Sequence, residues 1–199
     1  MWADPELTLV SSPVADFLRP MQVSKGQNID VVVIGAGVYG AWIAYELQRS
    51  GKRVILIDAH GTGHSRSSSG GESRIIRMGY GADEIYTRSA QRSLQLWKEL
   101  SAKAGENLFR PTGILWLAHE DDPYPVQSAE TLNRLGIRFE ELTAAEVARR
   151  YPQLGFDRIS WAMFEPDSGV LTARRAVQAV VREAISNGIE YLLDSESAS

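Results

Sequence analysis

An α/β fold is predicted by three observations near the start of the chain. A β-branched run, Asp30-Val31-Val32-Val33-Ile34, leads into a glycine-rich turn, Gly35 to Gly40. A helical stretch follows from Ala41 to Ser50, with Trp42, Ile43, Tyr45 and Leu47 among its apolar positions, and Gly51 stops it. A second apolar run, Arg53-Val54-Ile55-Leu56-Ile57-Asp58, comes next. Continuous β-branched runs mark strands buried on both faces. Strand, helix and strand within about 30 residues make a βαβ unit with parallel strands.

The remaining elements follow from local signals. Residues 1–28 carry Pro5, Pro13, Pro20 and Gly26 without a clean period, and read as an irregular arm with one amphipathic turn near Val14–Leu18. Ala59 to Glu72 is a loop holding four Gly and four Ser; a loop of that length is usually functional or disordered. Asp83 to Ala104 is helical, since Ala90, Leu94, Trp97, Leu100 and Ala104 recur every three or four residues. Gly113 to Leu117 is a strand, Ala129 to Leu135 a short helix ended by Gly136, and Ile137 to Leu142 a strand. Thr143-Ala144-Ala145-Glu146 is a capping box opening a helix that Tyr151-Pro152 closes. Ser160 to Phe164 is a strand and Pro166 to Gly169 a turn. Thr172 caps a helix with a wide stripe of Ala176, Val177, Val180, Val181, Ala184 and Ile185, ended by Asn187-Gly188. Ile189 to Leu193 is then a third parallel strand beside the first two.

Composition narrows the function. The 199 residues carry a formal net charge of −4, with 23% charged and 44% hydrophobic residues, which is ordinary globular usage. This balance offers no electrostatic footprint for nucleic acid or an anionic membrane. With no Cys, the chain has no disulfide framework, thiolate metal site or cysteinyl cofactor link. No apolar run approaches the roughly 20 residues a spanning helix needs. The N-terminus, Met1-Trp2-Ala3-Asp4-Pro5-Glu6, is acidic where a secretory signal is basic, and Ser197-Ala198-Ser199 is not a peroxisomal address. A soluble cytoplasmic protein is the expectation.

The chemistry is carried by Gly35-Ala36-Gly37-Val38-Tyr39-Gly40, a G-x-G-x-x-G pattern between a strand and a helix, with Asp58 ending the next strand. Gly35 permits the tight turn, Gly37 lets a pyrophosphate approach the backbone, and Gly40 lets helix and strand pack closely. The helix N-terminus offers unpaired N–H groups and a partial positive charge to phosphates. Asp58 suits ribose hydroxyls, and its charge disfavours a 2′-phosphate. The second constellation is Ser67-Ser68-Ser69-Gly70-Gly71-Glu72-Ser73-Arg74-Ile75-Ile76-Arg77. Its glycines and hydroxyls can fold over a flat phosphorylated ligand, and two arginines three apart can both reach an anionic site. By spacing alone this stretch also reads as a flexible linker followed by two solvated arginines.

Taken together, Gly35–Gly40, Asp58, the Ser/Gly loop and Arg74-Ile75-Ile76-Arg77 resemble the sarcosine-oxidase-like group of FAD-dependent amine and amino-acid oxidases, within the D-amino-acid-oxidase superfamily. The resemblance continues through Leu96-Trp97, Thr112-Gly113-Ile114-Leu115 and Phe164-Glu165-Pro166-Asp167-Ser168-Gly169-Val170-Leu171, and leaves residues 1–28 outside it. It implies an FAD-type Rossmann domain, 29–80 and 172–199, with part of an α+β substrate domain, 81–171, inserted. It implies that Gly35, Ala36, Gly37, Val38, Tyr39 and Gly40 cradle the FAD pyrophosphate and that Asp58 and Ala59 meet the adenosine side. His64, Ser68, Ser69, Arg74 and Ile75 would wrap the flavin, and Arg77 would grip a substrate carboxylate; Arg74 and Arg77 are the candidate catalytic pair. The implied reaction oxidises the CH–NH bond of a small amino acid or N-methyl amino acid, with hydride passing to flavin N5 and electrons to oxygen. Family members are considerably longer, so the expectation is an incomplete portion that does not turn over alone, with a second chain as one possible source of the rest.

Other candidates weigh less. His60 and His64 stand four apart in a loop rather than on a helix, so no metal site is expected. Trp97, Trp116 and Trp161 read as core. Ser68 and Ser69 lack a triad base, which argues against a hydrolase. A non-catalytic nucleotide- or partner-binding module, a subunit of a heteromeric flavoenzyme and an NAD dehydrogenase stay open as alternatives, the last disfavoured by the Ser/Gly loop and the paired arginines.

Overall fold

The computed structural model describes residues 28–155 and 159–193. The arm and its turn near Val14–Leu18 lie outside the described residues, apart from Asn28.

The predicted βαβ unit forms from β1 (Val31–Ile34), α1 (Val38–Arg49) and β2 (Val54–Asp58). A later strand, β9 (Glu190–Leu193), joins them, giving a parallel sheet of order β1-β2-β9 with Ile34 opposite Ile57 and Asp58 opposite Leu193. α1 begins three residues before Ala41, because Val38 to Gly40 are already its first turn. β2 is buried along nearly its whole length, as expected. β1 is not: Val32 and Ile34 are 51% and 84% exposed. The expectation of burial on both faces fails there because β1 is an edge strand, paired only with β2 among the described residues, with one face uncovered.

The other face of this sheet is covered by α1 and α5 (Ala173–Ser186). Ala41 and Ala44 on α1 and Ala176 and Ala184 on α5 are fully or almost fully buried, and such small side chains let two helices approach closely. Val177, Val180 and Val181 fill the space between. α2 (Glu84–Ala104) joins the same core through Ala90, Leu94, Trp97 and Leu100, the stripe read from the sequence, and ends at Gly105 in the left-handed conformation, φ 64°.

Two antiparallel sheets complete the fold. One has the order β3-β8-β4 and is made of β3 (Arg74–Ile76), β4 (Phe109–Arg110) and β8 (Gly169–Leu171). These strands of two or three residues are too short to carry a period-2 pattern, and the sequence reading missed them. The other has the order β5-β7-β6, from β5 (Ile114–Ala118), β6 (Glu140–Thr143) and β7 (Trp161–Glu165). The helix before β6, α3 (Pro123–Arg134), starts six residues earlier than predicted. Asp122 caps it by accepting the Tyr124 N–H at 3.2 Å, and proline occupies the first turn, where its missing N–H costs nothing. The capping box of α4 (Ala144–Arg150) is as predicted: Thr143 Oγ1 accepts the Glu146 N–H, and Glu146 accepts the Thr143 N–H at 2.9 Å. Thr172 does not cap α5 with its side chain. Its hydroxyl donates instead to the Leu108 carbonyl at 3.3 Å, tying the start of α5 to the approach of β4.

Candidate functional site

The glycine turn leaves the carboxyl end of β1 and enters α1. Gly35 has φ +98° and needs to be glycine on that ground. A Cβ at Gly40 would fall 1.8 Å from the Gly35 carbonyl oxygen, so the turn closes only without a side chain there. A Cβ at Gly37 would meet nothing within 4 Å, so open space faces the backbone at that point. No side chain caps α1. The uncapped N–H groups and this open approach are the chemical requirements of a pyrophosphate cradle.

Asp58, 8% exposed at the carboxyl end of β2, locks this turn. Its Oδ2 accepts the Ala36 N–H at 2.7 Å, and its Oδ1 accepts the N–H groups of His60 at 2.8 Å and Gly61 at 2.7 Å. A carboxylate has about four acceptor positions, so backbone takes three and one remains for a ribose hydroxyl. Half-buried Ala59 follows directly. The neighbouring Tyr191 phenol is pushed up to about 12, first by burial and then by the Asp58 charge. Its hydroxyl has no hydrogen-bond partner among the described residues.

The Ser/Gly loop is held against the start of α5. The N–H groups of Ala173 and Arg174 donate to the carbonyls of Glu72 and Gly71, and the Arg174 guanidinium donates to the Gly70 carbonyl at 2.7 and 3.0 Å. The orphan donors of α5 thus fix the loop. Gly70 is required because its Cβ would sit 2.0 Å from the His64 carbonyl oxygen. His64 stacks edge-on against His60 at 5.0 Å, and its Nδ1 accepts the Arg66 N–H.

The two candidate arginines, one opening β3 and the other just after its end, go to different places. Arg74 turns back to the loop, donating to the carbonyls of Ser68 and Ser73. With Val38, Ser68, Ser69, Trp97 and Leu171 it lines a mostly apolar cavity of about 260 Å³ at the start of α1. Here the structure brings together four of the residues singled out from the sequence. Ile75, 63% exposed, lies on the opposite strand face, and Tyr39 lies along the α1–α2 groove with Trp42 and Ile43.

Arg77 lies apart from that cavity. Its Cζ sits 4.3 Å from the centroid of Trp116 and 4.9 Å from that of Tyr80, and its Nη1 donates to the Gly79 carbonyl. Such stacking leaves most guanidinium donors available to an anion. Tyr80, Trp116 and Glu165, which build this seat, were missed. Trp116 reads as core in sequence, and half of it is. Glu165 at the end of the apolar run Trp161–Phe164 was the one available signal, a carboxylate continuing a buried strand. Among the described residues no cluster of His, Cys, Asp or Glu has the makings of a metal site.

Residues 30–199 match the family model described as FAD dependent oxidoreductase. The chain is 37% identical over 151 residues to a peroxisomal sarcosine oxidase of Mus musculus, covering 76% of this chain and 38% of that protein. It is 31% identical over 166 residues to a monomeric sarcosine oxidase of a Bacillus species, covering 83% of this chain and 43% of the relative. Among solved structures, an L-proline dehydrogenase from P. horikoshii superposes with a TM-score of 0.71 at 28% identity, over 84% of this chain and 44% of that one. The chain thus spans about two fifths of the length of the curated relatives it matches.

Proposed function

Since the chain belongs to the FAD-dependent oxidoreductase family, we propose that it forms the dinucleotide-binding and carboxylate-gripping part of an oxidase acting on the CH–NH bond of a small amino acid or N-methyl amino acid. The observation that carries this reading is the conjunction of an uncapped helix start with open space before Gly37 and, at a separate position, an arginine seated on two aromatic rings. The layout that goes with it is an FAD-type Rossmann domain, 29–80 and 172–199, into which the 81–171 region is inserted as part of a substrate domain.

In this reading the N–H groups of Gly37, Val38, Tyr39 and Gly40 bind the pyrophosphate, with Gly35 and Ala36 completing the turn. Asp58 spends its remaining acceptor position on the ribose, beside Ala59. His64, Ser68, Ser69 and Ile75 border the rest of the cofactor. Arg74, held by two loop carbonyls, would offer its remaining N–H groups to the ring system of the cofactor. When bound, FAD supplies the two-electron redox chemistry. Arg77 pairs with the substrate carboxylate, a bidentate geometry that guanidinium favours, and so fixes which C–H bond faces the reacting centre. Trp97 and Leu171 form an apolar wall beside Arg74. Oxygen is the proposed acceptor and the cytoplasm the proposed location; no helix among the described residues is long and apolar enough to cross a membrane.

The uncovered apolar face of Val32 and Ile34 favours a companion reading, in which a second chain covers that face and completes the active centre. The test is a visible spectrum of the chain after mixing with FAD and gel filtration. Flavin bands travelling with the protein are expected, and a colourless folded protein would refute the cradle. Co-expression with a flavoenzyme partner, followed by an amine panel, then tests the reaction.

A further inference from the structure

Glu165 is 1% exposed, yet no basic side chain forms an ion pair with it among the described residues. Its charge is met entirely by dipoles of this chain. Oε1 accepts the Gly79 N–H at 3.0 Å and the Trp116 Nε1–H at 2.7 Å; Oε2 accepts the Met78 N–H at 2.6 Å and the Ser168 hydroxyl at 2.5 Å. Those four bonds fill the acceptor capacity of a carboxylate. A buried charge is tolerable only when so satisfied. The donors come from three segments: the residues directly after Arg77, strand β5, and the turn between β7 and β8.

Two of the four donors belong to residues that hold Arg77. Trp116, whose indole N–H is bound, carries the ring on which the guanidinium stacks at 4.3 Å. Gly79, whose N–H is bound, offers its carbonyl to Arg77 Nη1 at 3.3 Å. The fit is close: a Cβ at Gly79 would fall 3.0 Å from Glu165 Oε1 and 3.3 Å from Trp116 Cζ2. Resting on the reading of Arg77 as the carboxylate grip, we propose that Glu165 is the positioning residue that assembles the seat of Arg77 and so aims it at a substrate carboxylate. Glutamine has the shape but not the chemistry. Its amide accepts at one end and donates at the other, so even with the Ser168 hydroxyl reversed, a backbone N–H meets an N–H.

The test is nitrogen-edited NMR on the 199-residue chain, wild type against Glu165→Gln. The Trp116 indole proton, assigned through Trp116→Phe, is expected to move upfield as it loses its charged acceptor. The Arg77 Nε–H is expected to lose its ring-current shift. The indole signals of Trp42 and Trp97, on α1 and α2, should stay in place, which a general loss of packing would not allow. Titration with sodium acetate, read at Arg77, should then show roughly tenfold weaker binding in the variant, a 1.4 kcal/mol change. If Glu165→Gln does not fold, Ser168→Ala removes one donor to Glu165 while leaving both rings against Arg77 in place, and should give a smaller Arg77 shift in the same direction. An unmoved Arg77 signal in folded Glu165→Gln would overturn the proposal. A wild-type chain that ignores acetate while Arg77 still moves in the variant upholds the positioning and sinks the carboxylate reading instead.

Discussion

Replacing Gly40 by alanine and, separately, Gly37 by alanine divides folding from binding at the same turn. At Gly40 the added methyl would stand 1.8 Å from the Gly35 carbonyl oxygen, 3.0 Å from its carbon and 3.4 Å from Val33 Cγ1. The struck atom is backbone and cannot swing aside as a side chain would. Overpacking usually costs about 1–3 kcal/mol, and a rigid target puts Gly40→Ala near the top, about 3 kcal/mol. For a chain of this length that is a fall of roughly 6–12 °C in melting temperature. At Gly37 the methyl would meet nothing within 4 Å, and losing glycine at an N-cap costs about 1 kcal/mol. The same methyl fills the space a pyrophosphate needs, so Gly37→Ala should weaken FAD binding at least about tenfold. Thermal unfolding by circular dichroism measures the first effect, and flavin fluorescence titration the second. An unchanged melting temperature in Gly40→Ala would refute the close approach. Full FAD affinity in a folded Gly37→Ala would refute the assignment of the turn.

Asp58→Asn should destabilise by about 2 kcal/mol, because an amide cannot accept all three backbone N–H groups now bound; urea unfolding reads this. Tyr191→Phe should leave stability equal or higher, since the native hydroxyl is buried without a partner. The raised Tyr191 phenol also has a sign: its contribution is fully present below the ordinary value of 10.0 and is lost as pH rises through about 12. Wild type should lose stability across that alkaline window more steeply than Tyr191→Phe, and parallel curves would count against the burial argument. Arg74→Gln should weaken FAD binding and leave acetate binding intact, whereas Arg77→Gln should do the reverse. Equal losses in both titrations would mean that the arginines share one site.

The parts of this fold that were legible in sequence are those whose signal is local and long. The stripe of α2 spans 21 residues, the βαβ unit carries its own turn chemistry, and the capping box at Thr143 needs only its neighbour three residues on. Three parallel strands, with Ile189–Leu193 as the third, were read from apolar runs alone. Strands β3, β4 and β8 were invisible because two or three residues carry no period, and their pairing joins segments far apart in the chain. The start of α3 lies six residues before the predicted Ala129, because Asp122 caps it and proline is accommodated in its first turn. Thr172 shows the limit of capping rules, since a tertiary acceptor at Leu108 won its hydroxyl.

For the candidate site the division is similar. Glycines at 35, 37 and 40 announce a tight turn from their spacing, because backbone sterics at each position act within a few residues. In sequence Asp58 reads as a ribose acceptor, while its three bonds to backbone depend on where β2 ends beside the turn. That Arg74 and Arg77 face different surroundings has no trace in their spacing, and only the folded chain places Trp116 and Tyr80 against one of them. The α/β class, the tight glycine turn and the residue types at hand are legible in the linear chain, since these rest on local sterics and hydrophobic period. That a buried carboxylate at position 165 gathers three distant segments beside Arg77 is visible only in the folded chain. Hydrogen bonds between strands remote in sequence have no local trace, and a buried charge is satisfied only when the whole fold has closed around it.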